Sequence, residues 1–271
     1  SRDIAVECLW DILTRHSRRG VYINVPLAYP VREVSGVLVS GLLTPSKNAD
    51  FTYPRHIRNF ILENFPNYDV DFNEDEILFS KDRSFIIDKI YNITESHIGV
   101  FKHFFKNYKA DLYFLVLRST DVIQHFFWHR EDVVYRFYAQ VDSLLSWLLE
   151  NMREDDVLIV CSDHGFQAAG KRVYLNKWLE MNGFLKVRKR GLRAKFLPSI
   201  EGLRLLLAKM GLKGLLWRLK RMSVVIKIAT KLLPSRDLSY LSEAIWEETQ
   251  AFAECGSEYA MIWVNLRGRF P

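Results

Sequence analysis

Two short clusters of acid and imidazole groups have the types and spacing to do chemistry. The first is Asp121 and His125, in the run Ser119-Thr120-Asp121-Val122-Ile123-Gln124-His125. On a helix, residues four apart share a face. A carboxylate and an imidazole so placed can hold one divalent ion between them. Ser119 or Thr120 suits the cap of such a helix. The second cluster is Ser162-Asp163-His164-Gly165. Neighbours on a strand point to opposite faces, so Asp163 and His164 converge on one ion only where the backbone turns, and Gly165 permits that turn. An unpaired carboxylate is expensive to bury, and a metal ion removes that cost.

Each residue taken singly has a plainer reading. An isolated Asp just past a strand is usually a helix cap, and an isolated His is usually a surface or hydrogen-bonded core residue. His16, His56, His97 and His103 take that reading, and His129 is assigned to packing or to the substrate side. Recurrence is what favours metal binding: two Asp/His pairs, each just after a strongly apolar run.

Those runs are the elements that must position the pairs. Leu112 to Leu117 and Val157 to Cys161 are continuous apolar stretches, the mark of strands buried on both faces. Shorter strands are expected at 21–25, cut off by Pro26, and at 37–40, between Gly36 and Gly41. Helical periodicity covers 3–16, 54–64, 83–108 and 131–152. Strands alternating with helices predict an α/β fold, a mainly parallel central sheet with helices on both faces. Ligands in such sheets collect outside the carboxyl ends of the strands.

Charge divides the chain. Residues 186–232 hold fourteen Lys or Arg and one acid, Glu201, leaving twenty-four bases against thirty-one acids elsewhere. The expected domains are an α/β core over 1–189, a basic helical insertion or cap over 190–238, and a return to the core over 239–271. The insertion admits three roles: a solvated cap, a lid that draws an anionic substrate toward the site, or a contact with an anionic membrane surface through residues 190–232. No nucleic-acid motif is present, and no nucleic-acid partner is expected. Three scattered cysteines, Cys8, Cys161 and Cys255, form no CxxC pair. That argues against a disulfide framework or thiolate zinc site and makes the cytoplasm the expected compartment.

With those residues on the page, the chain resembles the type I phosphodiesterase and nucleotide pyrophosphatase branch of the alkaline phosphatase superfamily. The matching pieces are Asn24-Val25-Pro26 with Tyr29-Pro30, Val37-Leu38-Val39-Ser40-Gly41, Asp121-Val122-Ile123-Gln124-His125 with Trp128, and Ser162-Asp163-His164-Gly165-Phe166. Further pieces are Val173 to Leu179 leading to Gly183-Phe184-Leu185, and Val264-Asn265-Leu266-Arg267-Gly268-Arg269. Leu27-Ala28 stands where a Thr is common before Tyr-Pro.

The resemblance implies an alkaline-phosphatase-like fold and two divalent ions, zinc first, with manganese or iron as alternatives. It implies that Asp163 and His164 bind one ion and Asp121 and His125 the other, and that the substrate is a small anionic phosphoester. It also implies a Thr or Ser nucleophile, another Asp and a further His, which find no match in these 271 residues. Weak metal binding and negligible turnover are therefore expected of residues 1–271 alone. The rival readings are a sulfatase-like or mutase-like member of the superfamily, and a non-catalytic scaffold of the same fold.

Overall fold

A computed structural model describes residues 6–168, 170–171, 173–188, 240, 243–255 and 260–266. It contains two compact units, Ser1–Ala168 and Ala169–Pro271.

The first unit is built on two strands rich in β-branched residues, β1 (Gly20–Val25) and β2 (Gly36–Ser40), which pair in parallel. β4 (Leu112–Leu115) joins the other side of β1, also in parallel, and the short β3 (Thr52–Tyr53) closes the far edge antiparallel to β2. The order is β3-β2-β1-β4. Alternation sends Val21, Ile23, Val37 and Val39 to one face. There they pack with Ile57 and Ile61 of α2 (His56–Asn64), Ile98, Phe101 and Phe104 of α4 (Arg83–Asn107), and Leu144 and Leu148 of α6 (Glu131–Asn151). Tyr22 and Leu38 point the other way, toward Trp10 and Leu13 of α1 (Leu9–Arg15). The sheet is thus mainly parallel with helices on both faces, as the sequence predicts. Each Val or Ile taken fully out of water contributes about 1.5–3 kcal/mol.

The parallel β1–β2 contact is close. Gly36 has φ +131°, and a Cβ there would lie 1.9 Å from the Gly20 carbonyl oxygen. Only glycine meets both demands.

A second layer lies beyond the sheet. α3 (Glu74–Phe79) is capped by Asn73, whose side chain accepts from Glu76 N, and three acids in its first turn suit the helix dipole. Val122, Ile123 and Phe127 of α5 (Ser119–Phe127) bury against Ile86, Ile87 and Ile90 of α4 and Val133 and Phe137 of α6. That apolar anchorage turns the opposite face of α5 outward.

Two expectations about the strands are corrected. β4 is only half-buried, not buried on both faces, because it is the edge strand of its sheet. Residues 157–161 form no strand ladder among the described residues: Val157, Ile159 and Val160 are 82, 79 and 66% exposed. An apolar run states a demand for burial, and no strand among the described residues lies alongside to meet it.

In the second unit, α7 (Leu175–Met181) ends at Gly183, φ +79°. Leu179 and Leu185 pack with Ala251, Phe252 and Ala253. Buried Asn176 makes a two-bond lock on Ala253, its Nδ2 donating to the carbonyl (2.6 Å) and its Oδ1 accepting from the amide (2.8 Å). β5 (Ala251–Cys255) and β6 (Ala260–Val264) pair antiparallel with each other. They make a two-stranded sheet of their own. The basic insertion expected at 190–238 and the Arg267-Gly268-Arg269 piece lie outside the described residues. No helix among the described residues is long and apolar enough to cross a membrane.

Candidate metal centre

The rim of the first unit is set by polar groups at the ends of β1 and β4. Asn24 adopts φ +59° near the end of β1, and its Nδ2 donates to the Val116 carbonyl at 2.9 Å, tying β1 to the segment that leads into α5. Behind it lies His97 of α4, 1% exposed. Its Nε2 sits 2.7 Å from the Asp69 carbonyl oxygen, which can only accept, so Nε2 carries the proton. Nδ1 is then the acceptor facing Asn24 Nδ2 at 3.4 Å. Burial pushes the His97 pKa down to about 4, against the opposing pull of the Asp69 carbonyl. His97 is a neutral structural histidine, in keeping with the plain reading it takes from sequence.

From this rim α5 starts, and the i,i+4 expectation is met: His125 Nε2 lies 3.2 Å from Asp121 Oδ1. The second pair reaches the same carboxylate, with His164 Nε2 3.9 Å from Asp121 Oδ1 and 3.8 Å from Asp163 Oδ1. The segment carrying it turns as Gly165 allows. Ser162 Oγ donates to the His164 carbonyl at 2.6 Å, and His164 Nδ1 donates to the Gly165 carbonyl at 3.0 Å. A neutral His164 with its proton on Nδ1 would offer the Nε2 lone pair on the Asp121 side, the arrangement typical of a metal-ligating imidazole braced by a backbone carbonyl. Asp163 is the outlying member, its side chain 91% exposed.

Phe166 seats the second pair against α5. Its ring meets His125 edge-on at 4.8 Å between centroids and lies 5.6 Å from Trp128. On the opposite side of Asp121, Arg118 binds Asp71 with two hydrogen bonds, Nε to Oδ1 at 2.9 Å and Nη2 to Oδ2 at 3.3 Å. Burial raises the Asp71 pKa, and the Arg118 charge works against that rise. Phe166 stands in the sequence as part of the Ser162–Phe166 motif, and the contact of Arg118 with Asp71 spans 47 positions, a signal that no local pattern carries.

All four donors sought in the sequence, Asp121, His125, Asp163 and His164, thus stand in one neighbourhood. Two ligands on a tetrahedral zinc lie roughly 3.4 Å apart, from bonds of about 2.0–2.1 Å. The Asp121–His125 gap of 3.2 Å fits that spacing, and the 3.8–3.9 Å gaps of His164 are slightly wide. As they stand, no three acid, imidazole or thiol groups among the described residues converge into a closed cage. The donor chemistry fits divalent ions, and the Asp163–His164 side is the open part of the site.

A family model described as Type I phosphodiesterase / nucleotide pyrophosphatase matches residues 2–211, a span that contains all four donors. The chain belongs to this family. Membership assigns it, at family level, to proteins that hydrolyse phosphoric esters, and the mainly parallel sheet between helices is consistent with an alkaline-phosphatase-like fold. Neither the curated proteins nor the solved structures contain a significant match. The Asp121–His125 pair is the more closely spaced of the two: both residues stand on α5, Asp121 partly buried and His125 exposed, 3.2 Å apart.

Proposed function

We propose that this chain carries the metal-binding face of a phosphohydrolase of phosphodiesterase or nucleotide pyrophosphatase type, acting through two divalent ions, zinc first. The observation that carries the reading is the single carboxylate oxygen, Asp121 Oδ1, faced by the imidazoles of both His125 and His164. Oxygen and imidazole nitrogen donors suit zinc, and also manganese or iron. In this reading Asp121 and His125 hold one ion, and Asp163 and His164 the other. When bound, such ions polarise a phosphoryl group and stabilise charge on the attacking and leaving oxygens. The chain's own contribution is placement. α5 fixes Asp121 and His125 one turn apart, Gly165 O orients His164, and the Phe166 ring packs edge-on against His125. The substrate is a small anionic phosphoester.

Metal uptake tests this. Calorimetric titration of the full chain with Zn2+ or Mn2+ should show binding that Asp121→Asn weakens by a factor on the order of one hundred, the loss of the charged ligand of the first ion. Absence of uptake by the unaltered chain sinks the reading. It would favour the second one, a non-catalytic scaffold of the same fold, to which the lack of a closed three-ligand cage among the described residues already points. The proposed contact of residues 190–232 with anionic lipid rests on their charge and periodicity. Co-sedimentation with anionic vesicles, lost at high salt, is its test.

A further inference from the structure

The direction of the Asp121 carboxylate is governed from outside the acid–imidazole pairs. Arg118 precedes α5 directly, and its carbonyl accepts the Val122 amide at 3.1 Å as the helix begins. Its side chain is only 15% exposed and lies over the Phe72 ring, 5.9 Å from the centroid. Nε and Nη2 are both committed to Asp71, and Nη2 also reaches Glu74 Oε1 at 3.3 Å. Two bonds to one carboxylate fix the plane of a guanidinium. The remaining end, Nη1, then has one direction available, and in that direction it meets Asp121 Oδ2 at 3.6 Å. The two oxygens of Asp121 are thereby distinguished: Oδ2 faces the arginine, and Oδ1 faces His125 Nε2 and His164 Nε2.

We infer that Arg118 is a positioning residue for the metal centre, holding Asp121 Oδ2 so that the carboxylate offers Oδ1 alone to an ion shared with His125. The inference rests on the metal reading above and adds to it the coordination mode of the shared ligand. A carboxylate without such a partner can rotate about its last bond and offer both oxygens to a cation. Arg118 removes that freedom and leaves a net negative charge near the ion, since Asp71 and Glu74 already occupy the rest of its fork. Lysine cannot substitute, because one ammonium cannot hold the plane set by Asp71 while pointing at Asp121.

The test uses the full chain with Zn2+ for affinity and Co2+ for its visible spectrum, in wild type, Arg118→Met, Arg118→Lys and Arg136→Met. Loss of an outer partner of a metal ligand commonly weakens affinity by about 10–100-fold. Arg118→Met should lose at least about tenfold in Zn2+ affinity, and its Co2+ band should weaken as Asp121 becomes bidentate and the coordination number rises. Arg118→Lys should show the same spectral change despite its retained charge. Arg136→Met, altered at an exposed arginine that pairs with Asp88, should match wild type. A purely structural tie between the 71–74 segment and α5 would leave the Co2+ spectrum unchanged, so Zn2+ affinities within about twofold of wild type and identical spectra overturn the inference. If Arg118→Met does not fold, Arg118→Lys decides alone. Wild type that takes up neither ion refutes the metal reading itself, an outcome distinct from failure of Arg118.

Discussion

Replacing His97 by glutamine should remove one component of the stability that the first unit loses as pH falls from 7.5 to 5.5. The sign follows from the buried ring. In the folded chain its pKa is pushed down to about 4 by burial, whereas an unfolded histidine titrates near 6.5. Above pH 6.5 both states are neutral, and the neutral ring keeps its bonds to Asp69 O and Asn24. As pH falls below 6.5 the unfolded chain gains a proton that the folded chain refuses, so stability is lost on acidification and the loss is complete below about pH 4. With these two values the loss amounts to about 1–2 kcal/mol at pH 5.5 and at most about 3 kcal/mol. The assay is urea unfolding at pH 7.5 and 5.5 in the presence of a chelator. At a denaturant slope of about 3 kcal/mol/M, the wild-type midpoint should drop by about 0.5 M from this residue. His97→Gln keeps one of the two ring hydrogen bonds and costs about 1–2 kcal/mol at pH 7.5, but it should lack this component of the pH dependence. Asp71, whose pKa is raised by burial, titrates with the opposite sign and cancels in the comparison. Equal pH slopes in wild type and variant would refute the account, as would an imidazole signal of His97 that titrates near 6.5 in the folded protein.

Other outcomes are equally concrete. Tyr68→Phe should be neutral or stabilising by up to about 1 kcal/mol in thermal melts, because the fully buried Tyr68 hydroxyl has no hydrogen-bond partner among the described residues, while the ring stack on Phe51 is kept. Gly36→Ala should cost at least about 3 kcal/mol, combining an unfavourable φ with a Cβ driven into the Gly20 carbonyl; a melting temperature within a degree or two of wild type would contradict that close approach. Asn176→Leu should loosen the second unit by about 1–2 kcal/mol through loss of both side-chain hydrogen bonds to the Ala253 backbone, seen as faster amide exchange in β5 and β6.

Much of the first unit was legible because its signals are local. β1 and β2 are β-branched runs closed by Pro26 and Gly41, and α4 and α6 carry apolar residues at helical spacing over many turns. The spacing of Asp121 and His125 depends only on α5 being a helix, so that contact was legible too. The 157–161 run was misread because its composition matches that of β1, while burial depends on whether a partner strand lies alongside. β4 was overread for the same reason: apolarity does not reveal that a strand stands at an edge. α3 escaped because six residues with three acids give no apolar period. Arg118 escaped because its partners Asp71 and Glu74 are brought near only by the fold.

The water-facing stretch Val157-Leu158-Ile159-Val160 has a bearing on how the protein behaves in concentrated solution. Short β-prone hydrocarbon segments left open to solvent are templates for intermolecular cross-β assembly. Here the stretch is preceded by Glu154, Asp155 and Asp156 and followed by Asp163, and flanking acids of this kind act as gatekeepers by repelling an approaching copy. The repulsion is ionic and therefore screened within about 10 Å at 0.1 M salt. Colloidal stability should accordingly decline with added salt and with neutralisation of that acidic triplet, leaving the fold itself unaffected.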